Sequence, residues 1–274
     1  MLLGATLMPW SAAVVTPVFS VIGPSATSAW RFLLGAVVLM VVTRPRLRSW
    51  TRRQWLGALF LGVSVAFMNQ CFYQSIARIP LGGAVAIEYL GPFLVAALGK
   101  RTPRHLAFVV LAALGVMALA RPGGGLTMVG MLLAGGSGAG WAAYAFASHR
   151  VGGATTGFGG LAVAMSIATV LTFPLSLDAS HVVLAHPYLV GRILVVAVMS
   201  IVLGFAAEMQ ALRRIKPSIA SVLFALNPAV AFIIGWLLLR QVITPWDFVG
   251  MTCVVIAGVG VTYDAARGDL AAAR

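Results

Sequence analysis

Apolar runs of roughly twenty residues follow one another along the whole of this chain, with hardly a polar loop between them. A water-facing surface needs charge, about 25% of residues in a soluble domain; here 9% are charged and 61% hydrophobic. Such a chain belongs in a bilayer, where a helix takes about 20 apolar residues to cross ~30 Å of hydrocarbon. Breaking at Pro, Gly and polar clusters predicts ten spans: 2–22, 26–43, 55–76, 81–99, 105–120, 127–148, 156–175, 188–210, 217–239 and 245–263. The runs are continuously apolar rather than alternating, which excludes a barrel. The first span lacks a basic leader, contains Pro9 and Pro17 and is followed at once by more spans, so it reads as a helix and not as a secretion signal. The expected fold is an all-α membrane protein of ten transmembrane helices. Its longest polar stretches are 44–53, which is basic, and 176–187.

A net charge of +13 would suit a nucleic-acid binder, but the cations sort by side. With the N-terminus inside, 14 of the 19 Lys and Arg fall in cytoplasmic loops or the tail, among them Arg44, Arg46, Arg48, Arg52, Arg53, Lys100, Arg101, Arg213, Arg214 and Lys216. Outer loops keep only Arg78, Arg121 and Arg240, while Arg31 and Arg192 fall within spans. That bias places both termini in the cytoplasm, and no nucleic acid is implied. Trp50, Trp55 and Trp246 sit where interface anchors belong. Cys71 and Cys253 lie in spans and read as unpaired buried thiols.

The chain also repeats itself. Gln74 to Arg104 aligns without a gap on Gln210 to Arg240, 136 positions on (210 − 74), with eight identities in 31 positions. Pro92/Pro228, Gln74/Gln210 and Arg78/Arg214 carry most of the weight, because these residue types are scarce here. Trp10-Ser-Ala-Ala likewise resembles Trp141-Ala-Ala-Tyr. Equivalent elements stand five spans apart, an odd number, so the halves, 1–122 and 123–274, are expected to be inverted five-helix repeats. That architecture puts a substrate site near the midplane and exposes it alternately to each side.

Among six carboxylates, Asp178, Asp247, Asp264 and Asp269 lie in loops or at span ends, and Glu208 near Arg213 reads as an interfacial ion-pair residue. Glu88 differs. It lies two residues from the middle of span 81–99, ~3 Å from the midplane. An acid there costs ~2.5–3.5 kcal/mol on insertion scales, which makes it a functional-site hypothesis by default. The competing structural role is a neutral Glu that hydrogen-bonds helices together. A carboxyl in a low dielectric favours its protonated form and a nearby cation the ionised one, so one group can alternate between a proton and an ammonium-bearing substrate. Glu88 is the expected proton-coupling residue.

Other polar and aromatic residues near the midplane form short stripes: Ser137, Trp141, Tyr144 and Ser148 on span 127–148, Asn69 with Tyr73 and Gln70 with Gln74 on span 55–76, Thr6 with Trp10 on the first, and Asn227 before Pro228. Each reads equally as an interhelical hydrogen bond or a ligand contact. The substrate-binding candidates are Glu88, Asn69, Tyr73, Trp10, Trp141, Tyr144 and Asn227. Pro92 and Pro228 read as mid-span prolines that bend helices around the site. Gly136 and Gly140 would let their span pack closely on a neighbour. Arg31 reads as a packing or snorkelling residue near the outer surface.

Met68-Asn69, Phe72-Tyr73, Ser75-Ile76, Ile79-Pro80-Leu81-Gly82 and Ala84 through Pro92 resemble the first-half signature of the EamA-type drug/metabolite transporters, and within them the threonine/homoserine exporters. Trp141-Ala-Ala-Tyr, Glu208-Met-Gln-Ala-Leu and the region from Pro228 to Gly260 continue the resemblance. It implies a secondary transporter of the bacterial inner membrane, monomer or homodimer, that exports small amino acids in exchange for protons, with Glu88 as the signature's acid. Two positions depart from it. The second-half signature usually has Glu before its Pro, where this chain has Asn227, and a usual Gly-Glu pair is Arg240-Gln241. The departures weaken coupling through a second carboxylate and bear on substrate choice.

Two other readings of transport stay open, efflux of lipophilic cations or aromatic metabolites and uncoupled facilitation. A membrane enzyme would need clustered His, Asp or Cys, whereas His105, His149, His181 and His186 are scattered without metal-ligand spacing. Neither a cofactor nor a metal is expected.

Overall fold

The computed structural model describes residues 2–99, 103–120, 125–151, 158–204 and 226–272. Nearly all of these are helical, and no strand occurs among them. Helix α1 (Leu2–Val15) passes through a 3-10 turn into α2 (Phe19–Ile22), followed by α3 (Pro24–Thr43), α4 (Arg52–Ile76), α5 (Leu81–Gly99) and α6 (Pro103–Leu119). The second part holds α7 (Met128–Val151), α8 (Phe158–Thr172), α9 (Leu177–Ala185), α10 (Pro187–Ala197), α11 (Asn227–Leu239) and α12 (Pro245–Ala272). α10 runs on as a π-helix, Val198–Gly204.

Four helical stretches among the described residues are long and apolar enough to cross a bilayer: Pro24–Thr43, Arg52–Ile76, Gly159–Ala185 and Pro187–Gly204. Shorter apolar helices stand beside them, including Thr6–Ile22, Leu81–Gly91 and Asn227–Leu239. Their outer faces carry bare apolar side chains such as Val42, Leu56, Leu132 and Leu237. Such faces suit lipid and not water, and the chain is a membrane protein.

Local chemistry sets the helix ends. Gly23, at φ +77° and ψ 160°, occupies a region reserved for glycine and turns the chain into α3, whose Pro24 needs no backbone partner in the first turn. Thr51 and Gln54 form a reciprocal capping box at α4: Gln54 N–H donates to Thr51 Oγ1 (3.3 Å) and Thr51 N–H to Gln54 Oε1 (2.8 Å). Asp247 caps the start of α12 from one side, its carboxylate accepting from Thr244 N–H at 2.7 Å and Thr244 Oγ1–H at 2.8 Å.

Three expectations change here. Part of the stretch 176–187, read as polar, is helix α9, started by Asp178 in its first turn and held by the fully buried Val183. Pro228 is not mid-helix: it sits in the first turn of α11, where its missing N–H costs nothing. α3 begins at Pro24, two residues before the expected 26. Glu208, Arg213 and most of the second copy of the repeat, Gln210 to Ala225, lie outside the described residues.

α4 packs on α7 and α8, α3 on α8 and α10, α5 on α7 and α11, and α6 on α12, while α1 meets α11, α10 and the π segment. Glycines set the closest approaches. A Cβ on Gly115 would lie 2.7 Å from the Gly250 carbonyl oxygen, and one on Gly250 2.6 Å from that of Gly115. Without a hydrophobic force between helices in lipid, backbone contact of this kind supplies the packing.

α11 ends on Arg240 at φ +51°, a left-handed position that usually takes Gly. The conformation costs an L-residue about 1–2 kcal/mol, partly offset by glycine's greater unfolded-chain entropy. Arg240→Gly is therefore expected to stabilise the protein by up to about 1 kcal/mol. Thermal unfolding in detergent checks this, and a lowered midpoint would contradict it.

Candidate functional site

Glu88 faces the bundle interior of α5, 9% exposed. The Ser137 hydroxyl of α7 donates to its Oε1. Four residues explain why these helices meet there. A Cβ on Gly91 would strike the Gly138 carbonyl, and one on Gly138 would strike the carbonyl oxygen of Glu88 itself. The α5 and α7 backbones thus touch beside the acid, and Ser137, next to Gly138, reaches its carboxyl.

One residue on, Tyr89 points to a different neighbour. Its hydroxyl accepts from Asn227 Nδ2–H of α11, and its ring meets Trp141 edge-on with centroids 4.5 Å apart and planes at 84°. The Asn227 side-chain oxygen is buried without a partner among the described residues. Glu88, Trp141 and Asn227, three of the expected residues, therefore gather on α5, α7 and α11.

Asn69 and Tyr73 belong to a second cluster. Arg31 of α3, 6% exposed, donates from Nη2 to Asn69 Oδ1 and from Nη1 to Ser200 Oγ at 2.9 Å, with its guanidinium carbon 5.0 Å from the centre of the buried Tyr73 ring. Asn69 is oriented by its own Nδ2–H bond to Val65 O, 3.0 Å. Ser200 belongs to the π-helix and donates in turn to Val196 O at 2.7 Å. Arg31 Nε has no partner, and no carboxylate pairs with the guanidinium among the described residues. Of the two roles expected for Arg31, packing or snorkelling, the structure shows the packed one: the side chain is buried and held inward by acceptors from α4 and the π segment.

The two clusters lie at one level. Gly136 of α7 faces Cys71, and Gly140 faces Phe67 and Met68 of α4. Ser137 and Asn69 therefore sit on neighbouring turns of the α4–α7 contact, and α7 does pack closely through these glycines. α1 on α11, α11 on α5, α5 on α7 and α7 on α4 form an arc that returns through α1 to the π segment. Arg31 spans the remaining gap, from Asn69 of α4 to Ser200 of the π segment.

Trp10 of α1 is 46% exposed and belongs to neither cluster. The side chain of Tyr144 lies outside the described residues. Gln70 and Gln74 turn away to the Ser25 carbonyl (3.3 Å) and hydroxyl (2.7 Å). A cavity lined by Leu90, Phe108, Ala112, Ala257 and Val261 is wholly apolar, and another beside Pro80, Phe232 and Asp247 lies near the start of α5; neither is lined by Glu88 or Arg31. Sequence reasoning missed Arg31, Tyr89 and Ser200 as members of these clusters. The available signal was a cation within a span with no acid three or four residues away.

Residues 128–263 match the EamA-like transporter family. The chain is 33% identical over 254 residues to the threonine/homoserine exporter RhtA of Escherichia coli (strain K12), covering 92% of this chain and 86% of the relative. RhtA of Salmonella typhimurium (strain LT2) is equally similar, 33% over the same length. A solved crystal structure shares the fold, with a TM-score of 0.61 over 97% of this chain and 96% of its own at 17% identity.

Two glycines of α7 allow a controlled test of the α5–α7 contact. Gly138→Val places its branches against the Glu88 backbone and is expected to cost about 2–3 kcal/mol, whereas Gly135, with open space around it, should accept Ala with little change. Thermal unfolding of the two variants side by side is the check, and equal midpoints would show that the helices can part at Glu88 without penalty.

Proposed function

The chain belongs to the EamA-like transporter family, and on that premise we propose that it exports small amino acids, threonine or homoserine in kind, across the bacterial inner membrane. Transport proceeds by alternating access between two inverted five-helix repeats, 1–122 and 123–274, with both termini cytoplasmic. Glu88 takes the substrate's ammonium in one direction and a proton in the other.

The observation that carries this reading is the buried Glu88, held among the described residues by the Ser137 hydroxyl at a glycine-built helix crossing. A carboxyl with one neutral partner keeps acceptor capacity for a proton or a cation, whereas a structural Glu would be fully bonded. The helix contacts support the inverted arrangement. α3 meets α8, α5 meets α11 and α6 meets α12, the pairs that such symmetry exchanges. The α4–α7 and α5–α7 contacts likewise have counterparts in the π segment on α1 and in α11 on α1. Similarity to the threonine/homoserine exporter supplies the cargo.

A second reading has its own observation. The Tyr89–Trp141 pair next to Glu88 also suits a flat organic cation. Counterflow of radiolabelled threonine in proteoliposomes, with ethidium efflux measured alongside, separates the two.

Wild-type vesicles are expected to accumulate threonine and homoserine faster under a pH gradient. Glu88→Gln, which keeps the shape and removes the exchangeable proton, should lose that acceleration. Full proton-dependent transport by Glu88→Gln would remove its assigned role, and dye efflux without amino-acid counterflow would replace the amino-acid reading.

A further inference from the structure

We propose that Arg31 is the carboxylate anchor of the transport site, the residue that selects substrates carrying an anionic end. This deepens the amino-acid reading above and rests on it.

A guanidinium in a membrane span is costly, and it persists where something offsets its charge. Arg31 is buried, yet both of its hydrogen-bond partners, Asn69 Oδ1 and Ser200 Oγ, are neutral, and no carboxylate pairs with it among the described residues. Asn69 and Ser200 orient the group without neutralising it. The Tyr73 ring covers one face, 5.0 Å from the guanidinium carbon. Nε, a further donor, is buried and unpartnered. A planar fork with a free donor and no counter-charge matches a carboxylate, which can accept two parallel N–H bonds.

The surroundings fit a ligand-responsive position. Ser200 lies on the π segment, a helix form that recurs at functional sites and leaves the backbone room to re-register. Arg31 joins that segment to α4, closing the arc of helices to which Glu88 also belongs, at the same level as the acid. An amino acid carries one charge of each sign, and Glu88 and Arg31 are buried groups complementary to the two.

The test uses purified full-length protein, L-threonine, and L-threoninol, the same molecule with its carboxylate replaced by an alcohol. Wild type is expected to bind threonine roughly 30-fold more tightly than threoninol, as a charge-assisted pair is worth. Arg31→Gln should lose about that factor toward threonine and keep its threoninol affinity within about threefold. Arg31→Lys retains charge but not the fork, and should fall roughly tenfold toward threonine alone. This second variant carries the test if the first does not elute as a monodisperse species.

Equal losses for both ligands would make Arg31 a structural residue and overturn the assignment, as would threonine affinity unchanged in the variants. Competition by chloride with threonine and threoninol bound alike would make it an inorganic-anion site and also overturn it. A wild type that binds threoninol and ethidium but neither threonine nor homoserine would sink the amino-acid reading itself, and Arg31 with it.

Discussion

A charged group surrounded by hydrocarbon holds its place only if the protein supplies what water would have supplied. Apart from Asp247, which caps the start of α12, the described residues bury two, of opposite sign, and do not pair them. Glu88 of α5 takes a hydroxyl from α7, and Arg31 of α3 takes an amide from α4 and a hydroxyl from the π segment. Direct pairing would have been the simpler way to hold both charges, since removing one partner of a buried ion pair costs about 3–5 kcal/mol. The α4–α7 contact keeps them apart. On the proposed function the separation has a use, because a carrier whose charges neutralised each other would offer nothing to a zwitterion.

Glycine makes the separation possible. Lipid is as apolar as the helix surfaces, so helices associate by close packing and polar contact and not by exclusion of water. Gly91 and Gly138 bring two backbones together at Glu88, while Gly136 and Gly140 bring α7 onto α4. One face of α7 is thus fitted to the helix bearing the acid, and the next face to the helix that orients Arg31. A shift of α7 is felt at both charges. A rigid element shared by two sites is the kind of coupling that alternating access requires.

Much of this architecture is legible in the order of the residues alone. Apolar run length marks the helices to within a few residues for α3 through α7, α3 and α4 among them being long and apolar enough to cross a bilayer. The depth of Glu88 follows from counting along one run. Partners are not legible in this way. In a soluble helix an apolar stripe marks the buried face, but here lipid-facing Leu56 and core-facing Leu39 are alike to a hydropathy scale. Arg31 escapes the count for a related reason: a packed and a snorkelling arginine read alike in a run, and only the partners Asn69 and Ser200 tell them apart. Tyr89 gives no signal of its own, being an ordinary aromatic residue until Asn227 and Trp141 are seen on either side of it.

Asn227 fixes what the remaining acid has to do. The resembling second-half signature carries Glu at this position, and an amide has no proton to exchange. It donates to Tyr89 and leaves its side-chain oxygen buried without a partner among the described residues. On the proposed function, proton and substrate ammonium compete for the oxygens of the buried Glu88. Each excludes the other, because a carboxyl that holds its proton has lost the charge that attracts a cation. On that reading, exchange then follows from mutual exclusion at Glu88 without a relay to a second acid.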